Sequence, residues 1–107
     1  MGLNQEIINI TDAIRQAVPT EKIYLFGSYA YGIPDEDSDY DFFVVISDDG
    51  PHPLEAAQKA RRSLLNIDRK TPVDILAGYR SSFDSQKHYN TLERKIFREG
   101  VMLYERI

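Results

Sequence analysis

Apolar residues along this chain recur with two periods, and the switches between them outline its elements. Within residues 3–18, Ile7, Ile10, Ile14 and Ala17 or Val18 fall at helical spacing while Glu6, Arg15 and Gln16 lie off that stripe, which predicts an amphipathic helix ending before Pro19. Residues 22–27 are β-branched and aromatic and predict a strand buried on both faces, stopped by Gly27. Ser28 to Tyr31 predicts a helical turn with Ser28 at the N-cap, and Gly32 to Asp39 a loop before a second strand, Tyr40 to Ile46.

Pro53 suits the first turn of a helix over Leu54 to Ile67, whose Leu54, Ala57, Leu64 and Leu65 share a broad face, with Lys59, Arg61 and Arg62 mostly opposite. Pro72 to Ala77 predicts a third strand ended by Gly78, and Ser82 to Lys87 a short helix. Thr91 to Glu99 predicts a firmer helix, N-capped by Thr91 and stopped by Gly100, before a small closing strand at Val101 to Tyr104. The order describes an α/β (α+β) fold, one small mixed sheet flanked by helices.

Composition narrows this to a soluble globular chain: 107 residues, 42% hydrophobic and 28% charged, read as one domain over residues 1–107. No apolar run reaches the roughly 18 residues of a membrane span and no signal-peptide form opens the chain, so a cytoplasmic location is expected. With no cysteine and two histidines, any metal would be a hard, oxygen-liganded cation. Between Ile23 and Gln58 there are eight acidic residues and no Lys or Arg, so the net charge of -4 hides a strongly acidic segment within an otherwise basic chain. Nucleic-acid backbone is gripped mainly through Lys and Arg, so direct nucleic-acid binding is not expected there.

The candidate chemistry lies in that acidic segment. Asp39 and Asp41 are two apart at the mouth of the second strand and so share a face. Asp74 interrupts the third strand, where an unpaired acid would be costly if buried. If the strands are neighbours the three acids meet, and carboxylates about 6 Å apart repel by roughly 3 kcal/mol per pair at an effective dielectric near 20. Mg²⁺ is the fitting counter-charge, because it takes one or two carboxylates plus phosphate oxygens and water, and two such ions bracket an in-line displacement. The Gly27-Ser28 corner offers amides and a hydroxyl to phosphates, by a route other than the absent GxxxxGK[ST] loop.

Each feature has a plainer alternative. The acids could form a solvated loop, Gly27-Ser28 an ordinary strand-to-turn cap, and Asp74 a strand cap or a partner for Arg80. Tyr29 or Tyr31, if exposed, could stack on a base. Lys87, Arg94, Lys95 and Arg98 are a candidate docking face for an acidic partner.

Gly27-Ser28, ten residues, Asp39-x-Asp41 and the later Val73-Asp74-Ile75 resemble the signature of the DNA polymerase beta-type nucleotidyltransferase superfamily. The length is similar to that of minimal nucleotidyltransferase (MNT) domain proteins, relatives of kanamycin nucleotidyltransferase. The resemblance covers nearly the whole chain, including its ending from Phe97 to Glu105. It implies Asp39, Asp41 and Asp74 as catalytic metal ligands, Gly27 and Ser28 as triphosphate contacts, and Mg²⁺ with ATP. It also implies a HEPN-domain toxin partner, silenced by transfer of AMP to one of its tyrosines. The alternative is an antitoxin that works by occlusion alone. A small-molecule transferase is less favoured, because so short a chain has little surface to enclose an acceptor. One departure stands out: members often read GSxARG, and here Tyr31 precedes Gly32.

Overall fold

The computed structural model describes residues 4–107. Its elements are α1 (Gln5–Ala17), β1 (Lys22–Phe26), α2 (Ser28–Tyr31), β2 (Tyr40–Ile46), α3 (Pro53–Ser63), β3 (Val73–Tyr79), α4 (Arg80–Gln86), α5 (Leu92–Glu99) and β4 (Val101–Glu105), with a 3-10 turn at Leu64–Asn66. The strands form one mixed sheet in the order β3-β2-β1-β4. β1 runs antiparallel to both neighbours, and β2 and β3 are parallel, joined by the α3 crossover. No helix among the described residues is long and apolar enough to cross a membrane.

Local chemistry sets the helix boundaries. The Asn4 side chain accepts from the Ile7 amide at 2.8 Å and starts α1. Residue 3, where the predicted helix began, lies outside the described residues. His52 Nδ1 accepts from the Leu54 amide at 3.1 Å to cap α3, with Pro53 behind it, and Thr91 Oγ1 accepts from the Arg94 amide at 3.2 Å to cap α5. Such a cap satisfies an amide that the helix itself leaves unpaired.

Strand alternation divides the side chains into two cores. One face carries Ile23, Leu25, Phe42, Val44, Ile46 and Ile75, sealed by Ile7, Ile10 and Ile14 of α1 and Ala56, Ala57 and Ala60 of α3. The other carries Tyr24, Phe26, Phe43 and Val45, covered by Phe83 of α4 and Ile96 of α5. Phe83 stacks 5.4 Å from Tyr24 and lies 5.5 Å from Phe43.

Three expectations change. The buried face of α3 is its three alanines with Leu64, while Leu54 and Leu65 are 62% and 79% exposed. Small side chains let the helix backbone approach the sheet, and the 3-10 turn rotates Leu65 away from the helical stripe. β3 runs through Gly78 to Tyr79 instead of ending there, because both residues stay paired with Val45 and Ile46 of β2, and Gly78 leaves room for Phe43, whose Cζ would be 3.1 Å from a Cβ. Helix α4 accordingly begins at Arg80, two residues before the predicted start.

Candidate active site

Antiparallel β1–β2 pairing and parallel β2–β3 pairing bring three chain segments to one end of the sheet. Phe26, the last residue of β1, is opposite Asp41 near the start of β2, and Asp41 is opposite Asp74 near the start of β3. Register partners in a sheet point to the same face, so Asp41 and Asp74 stand together on the face of Phe43 and the α4–α5 core. Asp39, in the loop two residues before Asp41, completes the sequence-predicted trio.

Gly27 is tied to this arrangement. Its φ of 76° and ψ of -157° belong to a region essentially closed to other residues, and a Cβ there would overlap Asp41 Oδ2, with Cγ only 3.1 Å away. The glycine therefore does two things at once: it turns the chain out of β1 and leaves room for the carboxylate. Gly27, not Ser28, is the N-cap of α2, and no side chain caps that turn. Ser28 is the first helical residue, so its hydroxyl is not spent on the capping bond predicted for it. Gly32 closes the turn, donating its amide to Ser28 O at 3.1 Å, and a Cβ there would lie 2.9 Å from Ser28 Cα.

Electrostatics singles out Asp41. Burial pushes its carboxyl above the usual carboxylate range, and the negative charges of Asp74 and then Asp39 push it further. Asp74 itself is exposed, because β3 is an edge strand whose outer residues meet solvent, so the expected cost of a buried unpaired acid does not arise. Arg80, considered as its partner, binds Glu21 at 3.1 Å and Asp84 at 3.8 Å.

Tyr40, between the two acids, points to the opposite face and anchors them. Its hydroxyl donates to Glu6 Oε1 at 2.8 Å and accepts from Asn4 Nδ2 at 3.0 Å, and its amide donates to Pro72 O at 3.0 Å. Glu6 also accepts from the Lys70 amide at 2.7 Å, and these bonds, the Lys70 one foremost, hold its carboxyl below the usual range. The sequence pattern does not announce this network, because Asn4, Glu6, Tyr40 and Lys70 are joined only by the fold. Tyr29 is not free to stack on a base: it packs edge-on against Tyr40 at 4.6 Å. Tyr31 is likewise half-buried, packed on the aromatic core.

A hard cation suits this all-oxygen donor set chemically. Asp41 is half-buried beside two further acids, and no described Lys or Arg forms an ion pair with any of the three. Among the described residues no three His, Asp or Glu side chains form a group that could by itself hold a metal ion. Asp41 and Asp74 are nonetheless in register, and Asp39 and Asp74 both act on the Asp41 charge. Mg²⁺ does not require such a group, because it keeps water and substrate phosphates in its shell instead of an all-protein cage.

Comparison with known proteins agrees with this geometry. The model of the polymerase beta nucleotidyltransferase family matches residues 8–107, and the chain belongs to that family. Among solved structures it is similar to a toxin-antitoxin crystallised with AMP-PNP, with 27% identity, 97% of this chain and 75% of that chain covered, and a TM-score of 0.59. An MntA-HpeT toxin-antitoxin variant with two Asp→Glu substitutions matches with 24% identity, the same coverage and a TM-score of 0.58. A Sulfolobus solfataricus protein assigned as a nucleotidyltransferase shares the fold at 18% identity, over 99% of this chain and 93% of that one, with a TM-score of 0.61. No curated protein matches the sequence. The family resemblance and the mixed-sheet fold read from the sequence are thus borne out.

Proposed function

We propose that this chain is a Mg²⁺-dependent nucleotidyltransferase that moves AMP from ATP to a hydroxyl of a partner protein, a tyrosine of a HEPN-type toxin, and so acts as its antitoxin. The observation that carries the reading is Asp41 in register with Asp74, its carboxylate seated where only glycine at position 27 leaves room. The nucleotide and the toxin partner are supported by the 27%-identical toxin-antitoxin structure with AMP-PNP.

In this reading Asp39 and Asp41 would hold Mg²⁺ and Asp74 would help hold a second ion, and the metal would supply counter-charge to the triphosphate. Ser28 and the amides after Gly27 orient the β- and γ-phosphates. The acceptor oxygen attacks the α-phosphorus, the bond to the β-phosphate breaks, and pyrophosphate leaves with that electron pair. In the same reading Asp74 takes the proton from the attacking hydroxyl. A carboxylate is a weak base for a phenol, and so its task is to receive the proton as the O–P bond forms. Burial first, and then the charges of Asp74 and Asp39, raise the cost of the Asp41 carboxylate, a cost that a bound cation would relieve.

The test is to incubate the chain with Mg²⁺, labelled ATP and the protein encoded beside it. Label on the partner that disappears with Asp41→Ala supports transfer. An inhibited but unlabelled partner would mean that the chain works by occlusion, and ATP binding undiminished in EDTA would contradict the metal assignment.

A further inference from the structure

The acidic stretch that carries the proposed site has no cation of its own from Ile23 to Gln58. Phosphoryl-transfer sites use fixed positive groups as well as metal to hold the terminal phosphates. The fold brings such a group in from a distant segment. β4 follows α5 and runs antiparallel to β1 with Val101 opposite Leu25, so the end of α5 stands at the same end of the sheet as Gly27 and Asp41. A Cβ on Gly100 would lie 3.1 Å from Leu25 O, which measures how tightly this turn is pressed onto β1.

One turn before that end, the Lys95 ammonium lies 4.8 Å from the centre of the Tyr31 ring. Tyr31 is the last residue of α2 and stands three after Ser28, and residues so spaced on a helix are neighbours, with Cβ atoms about 5–6 Å apart. Tyr31 packs on the aromatic core, on the face of the sheet that carries Asp41 and Asp74. Lys95 is exposed and forms no ion pair among the described residues, whereas Lys87 is paired with Asp84 at 3.4 Å. An aromatic ring attracts an ammonium without neutralising it. The charge is therefore kept near Ser28 and kept available. Arg94, Arg98 and Glu99 line one groove with Lys95, of about 350 Å³, so two further cations and one acid share that side.

We propose that Lys95 is the triphosphate-binding cation of this site. Poised on Tyr31, it swings about its own side-chain bonds onto the β- and γ-phosphates of ATP seated at Ser28, and it stays with the pyrophosphate as that group leaves. This rests on the nucleotidyltransferase reading above. Because Lys95 meets only the terminal phosphates, its removal should be felt by ATP analogues and not by AMP.

The test is an NMR titration of the full chain with Mg²⁺–AMP-PNP and with AMP, which reads affinities into the millimolar range, on wild type, Lys95→Ala and Lys95→Arg. Thermal melting of each variant checks that this exposed position leaves the fold intact. Lys95→Ala is expected to weaken AMP-PNP binding about tenfold, to leave AMP within about twofold, and Lys95→Arg to keep wild-type behaviour. Unchanged AMP-PNP affinity in Lys95→Ala, or an equal loss for both nucleotides, overturns the assignment while leaving the nucleotidyltransferase reading in place. Failure of the wild type to bind either nucleotide overturns both.

Discussion

The two faces of the sheet are built to different standards. The α1–α3 face is aliphatic and sealed: Ile10, Ile14, Ile23, Leu25 and Phe42 have no exposed surface. The α4–α5 face is aromatic and only part covered, with Leu76, Leu92, Phe97 and Met102 each 40–46% exposed around it. It also buries the Tyr24 hydroxyl without a hydrogen-bond partner among the described residues, a cost that a finished core avoids. The acids sit on this second face. One side of the sheet supplies stability, and the other gives up part of it to hold groups that repel one another.

The largest expected effect separates activity from stability. Asp41→Asn should lower nucleotide transfer by about three orders of magnitude or more, the several kcal/mol of a lost charge contact at ~1.36 kcal/mol per decade. It should leave the melting temperature unchanged or higher, because it removes a carboxyl that folding disfavours in its charged form. A variant inactive only because it unfolds would break the contrast between the faces.

Core truncations come next. Ile14→Ala and Phe83→Ala should each cost about 2–5 kcal/mol in urea unfolding, as fully buried side chains leave cavities. Transfer per folded molecule should survive Ile14→Ala and fall in Phe83→Ala, whose cavity opens on the acid-bearing face. Equal effects on activity would show that the faces are not functionally distinct.

Gly27→Ala should cost about 1–3 kcal/mol from its backbone conformation, and more through overlap with Asp41. In the double variant with Asp41→Ala the overlap is gone, so the two losses should combine non-additively. Smaller still, Tyr40→Phe should cost about 1 kcal/mol by deleting a buried, bonded hydroxyl.

The pH dependence of the two faces runs in opposite directions. Asp41 has a folded-state pKa above its unfolded value, so its contribution turns unfavourable as pH rises through about 4 and beyond. Glu6, with its pKa lowered, stabilises above the ordinary carboxylate range and loses that contribution as pH falls. Stability measured at pH 4 and pH 7 should therefore gain more on going to pH 7 in Asp41→Asn than in wild type.

The order of elements was legible because each helix and strand announces itself within a short window of apolar spacing. Ile7, Ile10 and Ile14, and the unbroken run from Phe42 to Ile46, left little choice. What was not legible is pairwise across the chain. Alanines at 56, 57 and 60 carry little hydrophobic signal of their own, and they become a buried face only because a sheet lies beneath them. The meaning of Gly27 depends on an acid 14 positions later, and the Lys95 contact with Tyr31 depends on where β4 pairs. Asp39, Asp41 and Asp74 could be picked out by type and spacing. The exposure of Asp74 could not, because it follows from β3 being an edge.

The parallel pairing of β2 with β3 also has a meaning in time. Parallel strands cannot close as a hairpin, and their contact waits until the crossover between them has formed. A chain emerging from the ribosome presents Gly27, Ser28, Asp39 and Asp41 well before Asp74, and α5 with Lys95 emerges later still. The proposed catalytic set is therefore incomplete during most of synthesis, and a nascent chain stalled after α3 is expected to transfer nothing.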